Sequence, residues 1–331
     1  MNVILPVAGL GTRLRPHTWS RPKPLFSLAG KTVLDHVLDR LEPLDIDRVV
    51  FVTGYLGDQI EEYVHANYSF DSVFVEQDEP KGQSHAIIQA RGKISGPTIV
   101  LFPDMVFEAD MTGLVESGVD GAVFVKEVPD PSRFGVVIVE NGRITKLVEK
   151  PDEPVSNLAV MGVYYFREIE DLFKAIDNQL EQNIQTKNEF FIADAIQLMV
   201  NEGANFSAPT ASVWEDCGTS DALLDTNRYL LRQLDGRPES NGAVYISPVY
   251  VDPSAVVTSS IIGPYASIGA NAVIDGSIIR DSIIDDGASV RSAVLERSLV
   301  GRKAVLTGNA MRVSVGDTSE VNLVWDAGGD S

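Results

Sequence analysis

Val3-Ile4-Leu5-Pro6-Val7-Ala8-Gly9-Leu10-Gly11-Thr12-Arg13-Leu14 joins a short aliphatic run to a glycine-rich loop. A run of that length, rich in Val, Ile and Leu and broken by Gly, reads as a buried strand. A strand that ends in such a loop offers free backbone N–H groups, and neighbouring cations add Coulombic attraction for an anion. The cations are present. Arg13, Arg15, Arg21, Lys23 and Lys31 lie within the first 34 residues, which contain no Asp or Glu. The chain as a whole carries a formal charge of −20, so this local reversal of sign points to a polyphosphate ligand.

Two other phosphate motifs fail on spacing. Ala29-Gly30-Lys31-Thr32 has the end of a Walker A loop, but Leu25 stands where that motif requires Gly. Gly9 and Gly11 begin a dinucleotide fingerprint, yet Leu14 occupies its third glycine position.

Short apolar strands are expected at residues 3–7, 48–53, 72–75, 98–102 and 122–126, bounded by Gly, Pro or Asp. Val33, Leu34, Val37, Leu38 and Leu41 share one helical face, and helical patterns return at 190–200 and 223–234. Alternating strands and helices predict an α/β domain, Rossmann-like, with a mostly parallel sheet covered on both faces. Asn141-Gly142, between residues 135–140 and 144–149, predicts a type I′ hairpin.

Residues 235–243 read as a linker, closing a first domain at 1–234. Beyond it a phrase recurs: Ser260-Ile261-Ile262-Gly263, Ser282-Ile283-Ile284-Asp285, Ser298-Leu299-Val300-Gly301. Aliphatics return every five or six residues at Ile246, Val251, Val257, Ile262, Ile268, Ile274, Ile279, Ile284, Val290, Leu295, Val300 and Leu306. Neither a helix nor a flat strand has that period. It suits a left-handed parallel β-helix of hexapeptide repeats over 244–331, with a C-terminal tail.

At 331 residues with 44% hydrophobic content, two cored domains are expected. The acidic balance disfavours nucleic acid or an anionic membrane surface as partner. Cys217 is the only cysteine, which excludes a disulfide within one chain and a thiolate metal cluster. No apolar run is long enough to span a bilayer, and a cytoplasmic location is expected.

The loop Gly9-Leu10-Gly11-Thr12-Arg13-Leu14-Arg15-Pro16, with Arg21-Pro22-Lys23-Pro24-Leu25, resembles the signature of the sugar-1-phosphate nucleotidyltransferases. The likeness continues in order through Glu76-Gln77 and Gly82, Pro103-Asp104, Phe134-Gly135-Val136-Val137, Val148-Glu149-Lys150-Pro151, Ser156-Asn157-Leu158-Ala159-Val160 and Trp214-Glu215-Asp216-Cys217-Gly218-Thr219. It implies transfer of a nucleoside monophosphate from a nucleoside triphosphate to a sugar 1-phosphate, with Mg²⁺ as cofactor and a homo-oligomeric assembly. By resemblance Ala8, Gly9, Gly11 and Thr12 wrap the triphosphate, and Arg13 and Lys23 meet the departing pyrophosphate. Gln77 and Gly82 read the base, an amide being able both to donate and to accept. Lys150 holds the sugar phosphate; Gly135, Glu149, Asn157 and Val160 border the sugar; Asp104 and Asp216 hold the metal.

Pro103-Asp104-Met105 and Asp216-Cys217-Gly218 are similar to bacterial UTP–glucose-1-phosphate uridylyltransferases, and Met105 stands where thymidylyltransferases commonly carry Asn. The compact loop with an attached β-helix is similar to long-form glucose-1-phosphate thymidylyltransferases. UTP and dTTP therefore both stay open. Guanylyl transfer to mannose 1-phosphate, adenylyl transfer and a non-catalytic sugar-nucleotide-binding subunit are the alternatives. An acyltransferase site in the β-helix is disfavoured, because His17, His36, His65 and His85 all precede residue 90. His85 is expected to be structural, since the attacking phosphate is already anionic, and Cys217 to be a small buried residue.

Overall fold

A computed structural model of the chain describes residues 1–153, 155–234, 238 and 242–308. Most of the expected linker, and the tail from residue 309, lie outside the described residues.

The strand Asn2–Pro6 lies inside the parallel half of the first sheet. It pairs in parallel with Arg48–Thr53 on one side and Thr98–Leu101 on the other, and Ser72–Glu76 extends the parallel half. Side chains alternate between two cores, as strand geometry requires: Ile4, Val50 and Val52 enter one, Val3, Leu5 and Phe51 the other. Both faces are covered, so these strands read as unbroken apolar runs.

The sheet is mixed rather than mostly parallel. Leu158–Phe166 runs antiparallel to Thr98–Leu101 and to Gly121–Glu127, and Gly135–Glu140 with Arg143–Glu149 forms an antiparallel hairpin. Asn141 and Gly142 both have positive φ, 51° and 79°, as a type I′ turn demands. The α/β alternation therefore stops after residue 101, where hairpin-type connections take over. The strand Leu158–Phe166 was not among the expected strands: Gly162, at φ 88° and within a register irregularity between Val160 and Tyr164, breaks its apolar run.

The chain from residue 244 winds into three four-stranded parallel sheets, consistent with a left-handed β-helix. Rungs stack residue on residue, as in Ile262 beside Ile279 and Ile284 beside Val300. Eight of the expected corner residues, Val257, Ile262, Ile268, Ile274, Ile279, Ile284, Val290 and Val300, are buried in one core, with Val251, Leu295 and Leu306 packed at its edge. Ile246 is a correction. It is 43% exposed, because the register sets Tyr245 beside Ile262 and Tyr245 packs on the core instead.

The two parts meet along an apolar seam in which Leu14, Phe26, Leu28, Leu223 and Ile283 pack together with Tyr250 and Tyr265. Asn227 ties it: its Oδ1 accepts from the Ala29 N–H at 3.0 Å and from the Ser267 hydroxyl at 2.7 Å. The Walker-like Gly30 belongs to this seam. Its φ is 91°, and a Cβ there would collide with the Tyr250 ring. Lys31 is paired with Asp39 at 2.7 Å. No helix among the described residues is long and apolar enough to cross a membrane.

Candidate active site

The carboxyl ends of the parallel strands open into two adjoining cavities of about 380 and 420 Å³. Arg13, Gln83, Phe102 and Asp104 line both. This is where open α/β sheets gather ligands, because strand ends leave loops and unpaired backbone groups there.

The first cavity is built by the opening loop. Ala8, Gly9, Gly11, Thr12 and Arg13 line it, with Lys23, Gln77, Gly82 and Gly218. Gly11 is left-handed at φ 59°, and a Cβ would come within 2.9 Å of Thr18 Cγ2. Thr18 is itself buried and donates to the Gly11 carbonyl at 2.9 Å, locking the turn. A Cβ on Gly9 would meet nothing within 4 Å, so its backbone faces open space that a ligand can enter. Lys23 begins a single 3₁₀ turn between Pro22 and Pro24. Its side chain is only 11% exposed and reaches Asp104 Oδ2 at 3.2 Å. The prolines restrict the backbone and so aim the ammonium.

Asp104 and Asp216 are brought together by strand pairing. Asp104 precedes the strand Met105–Glu108, which runs antiparallel to Val213–Asp216 with Asp216 opposite Met105, and the Cys217 N–H donates to the Asp104 carbonyl at 2.9 Å. Arg13 closes the group. A Cβ on Gly218 would lie 2.8 Å from Arg13 Nη2 and 2.9 Å from Asp216 Oδ1, so Gly218 makes room for both side chains. No group of three metal-binding side chains exists among the described residues. Two carboxylates at one end of a strand pair, both lining the second cavity, nevertheless fit a divalent cation that takes its remaining oxygens from substrate phosphates and water. Cys217 is fully buried and its thiol is pushed up to about 12, chiefly by desolvation. It is inert packing, as expected.

The second cavity carries the sugar-side candidates. Gly135, Glu149, Lys150 and Val160 line it together with Asp104, Asp216, Tyr164, Phe191 and Trp214. Gly135 leaves space for the Glu149 carboxylate, which would lie 2.7 Å from an added Cβ. Burial raises the Glu149 pKa, against the opposing pull of Lys150 at 3.6 Å. The Lys150 ammonium lies 4.6 Å from the centroid of the Phe191 ring, a cation–π contact that steers it across the cavity. Asn157 lines neither cavity. It is exposed, and its backbone carbonyl accepts from the Val128 N–H at 3.0 Å. Met105 is buried and presents sulfur and methylene where an amide was the alternative.

Phe191, Gln83 and Tyr164 were missed by the sequence reading. Phe191 sits at the start of the helix Ile192–Asn201, where an aromatic carries no local signal.

The sequence profile described as nucleotidyl transferase matches residues 1–233. The chain belongs to the nucleotidyl transferase family. Over 98% of its length it is 31% identical to a glucose-1-phosphate thymidylyltransferase of Streptomyces antibioticus, covering 99% of that relative. The low-salt glycan biosynthesis nucleotidyltransferase Agl11 of Haloferax volcanii is also 31% identical, covering 98% of this chain and 100% of the relative. A UDP-glucose pyrophosphorylase solved with UDP-glucose shares the fold, with a TM-score of 0.62 at 24% identity, over 70% of this chain and 99% of the other. This nucleotidyl transferase is accordingly an enzyme of the sugar-1-phosphate class.

Proposed function

We propose that the enzyme transfers a nucleoside monophosphate from UTP or dTTP to glucose 1-phosphate, releasing pyrophosphate and an NDP-sugar. One observation carries this reading: a cavity edged by glycine N–H groups and two cations joins, at Arg13 and Asp104, a cavity edged by Glu149 and Lys150. The name of the Streptomyces relative supports the choice of a pyrimidine and of glucose 1-phosphate.

Lys150 holds the sugar phosphate, whose anionic oxygen forms a bond to the α-phosphorus as the bond from that phosphorus to the bridging oxygen of the β-phosphate breaks. No general base is needed at neutral pH. Arg13 and Lys23 neutralise charge growing on the leaving pyrophosphate, so catalysis consists of alignment and fixed charge. Asp104 and Asp216 would hold Mg²⁺, which supplies further charge neutralisation when bound. Glu149, Gly135 and Val160 border the sugar; Gln77 and Gly82 border the base.

The same proposal divides the chain into a catalytic domain at 1–234, a linker at 235–243 and a β-helix domain from 244. Val244, Ile261, Ile278 and Val294 stack by register into an exposed aliphatic row. That row supports assembly into a homo-oligomer, to be read by sedimentation. A cytoplasmic site of action completes the proposal.

Four triphosphates (UTP, dTTP, GTP, ATP), each with glucose 1-phosphate and mannose 1-phosphate, test it through pyrophosphate release. The fastest pair should combine UTP or dTTP with glucose 1-phosphate. A fastest pair of GTP and mannose 1-phosphate would replace the substrates, and silence with every pair would remove the reaction.

A further inference from the structure

Gln77 follows the strand Ser72–Glu76 and is 9% exposed at the wall of the first cavity. Its amide nitrogen lies 3.3 Å from the Gly82 carbonyl oxygen and 3.1 Å from His85 Nδ1. A carbonyl oxygen can only accept, so the NH₂ end of the amide must face Gly82. Its second N–H then points to His85 Nδ1, which accepts when the ring proton sits on Nε2. Both amide protons are thereby consumed within the protein. What remains for a ligand is Gln77 Oε1, an acceptor. Gly82 lines the same cavity, and its backbone N–H makes no hydrogen bond to any described residue, so a donor is available beside that acceptor.

We propose that His85 is a positioning residue for base selection. By accepting from Gln77 it holds the amide with Oε1 toward the nucleotide, which restricts the base to those carrying a ring N–H next to a carbonyl. Uracil and thymine present that pair at N3–H and O4, and guanine at N1–H and O6. Cytosine and adenine present the reverse, a bare ring nitrogen beside an amino group, and would set acceptor against acceptor and donor against donor. A site built for one hydrogen-bonding pattern rejects the other strongly, because its own buried groups are left unpaired. The helix Gln83–Ile87 that carries His85 is tied to the segment between Glu189 and Phe191 by the Ser84 N–H, which donates to the Phe190 carbonyl at 2.9 Å. The ring therefore sits on a fixed support. This inference rests on the reading of Gln77 and Gly82 as the base subsite.

The test is the ratio of kcat/KM for UTP to that for CTP at constant sugar 1-phosphate, in the full-length enzyme. Wild type should prefer UTP, dTTP or GTP to both CTP and ATP. His85→Leu should lower the UTP-to-CTP ratio by about tenfold or more, since only the longer 3.3 Å contact to the Gly82 carbonyl then opposes rotation of the amide toward the base. His85→Gln, which restores an acceptor, should keep the ratio within about threefold of wild type. A role confined to folding would lower turnover with all triphosphates alike and leave the ratio in place. Three outcomes overturn the proposal: a wild type that prefers CTP or ATP, a His85→Leu ratio equal to wild type, or a His85→Gln ratio that collapses. Gln77→Leu separates the two levels. If it destroys the ratio while His85→Leu does not, only the role of His85 fails. If Gln77→Leu leaves the ratio unchanged, the base subsite itself is elsewhere. Pyrophosphate release with any triphosphate still reports the transfer reaction in either case.

Discussion

Arg21 Nη1 lies 2.8 Å from Asp285 Oδ1 and 3.1 Å from its Oδ2, and both side chains are only 11% exposed. The pair spans 264 residues of sequence and bolts the loop that carries Lys23 onto the β-helix. Arg21, one of the cations of the acid-free opening, is thus a tether, with its charge met by protein. Breaking a buried pair from one side strands the other charge and costs roughly 3 kcal/mol. Asp285→Ala should therefore lower Tm and raise KM for the triphosphate, while KM for the sugar 1-phosphate stays near wild type. Equal changes in both KM values would show that the tether does not govern the loop.

Arg13 lies close enough to Asp216 that Gly218 must lack a side chain between them. Removing its guanidinium should lower kcat by about 100-fold, as for loss of a preorganised charge-stabilising group. Steady-state pyrophosphate release is the measurement, and turnover near wild type would exclude Arg13 from the leaving-group side.

Asp104 and Asp216 sit across one strand pair. Enzyme stripped with a chelator should lose activity and regain it with Mg²⁺, whereas Asp104→Asn should stay inactive at saturating Mg²⁺. Full rates in the stripped protein would discard the metal.

Glu149 is held in a pocket that raises its pKa, mainly by desolvation. Its folded-state proton affinity exceeds that of the unfolded chain, whose glutamate titrates near 4.5. Stability from this difference is complete below that value and is lost as pH rises through the folded pKa. At neutral pH the ionised carboxylate is therefore a destabilising group kept for the site. Glu149→Gln should match wild type in Tm at acid pH and exceed it near neutrality, with reduced activity. A Tm difference that shrinks as pH rises would contradict the sign.

Gly82 has φ 116°, and a Cβ would lie 2.6 Å from the Phe190 nitrogen and 2.7 Å from its oxygen. Both obstacles are backbone. Gly82→Ala should cost about 2 kcal/mol or more and impair triphosphate binding, seen as a lower denaturant midpoint and a raised KM.

Much of this architecture is periodic and local, and so was legible in the chain. The strand at the opening, the Asn141-Gly142 hairpin and the five-to-six spacing of the repeats each follow from a few adjacent residues. Ile246 misled because the spacing gives the period of the repeat but not its phase in the first coil, which the pairing of Tyr245 with Ile262 decides. Leu158–Phe166 was hidden because Gly162, whose positive φ is accommodated by an irregular register against the neighbouring strand, splits the apolar run that reveals a buried strand. Asn157 lies inside a family-like motif, yet it is exposed and apart from both cavities.

Residue order carries the inventory: a glycine loop flanked by cations, two aspartates, a Glu-Lys pair, and a repeat that must coil. Which of these groups meet is set by packing. Arg21 faces Asp285, Lys23 faces Asp104, and Gln77 faces His85. Coulombic and hydrogen-bonding energies depend on distance and burial, and both are properties of the packed chain rather than of residue order.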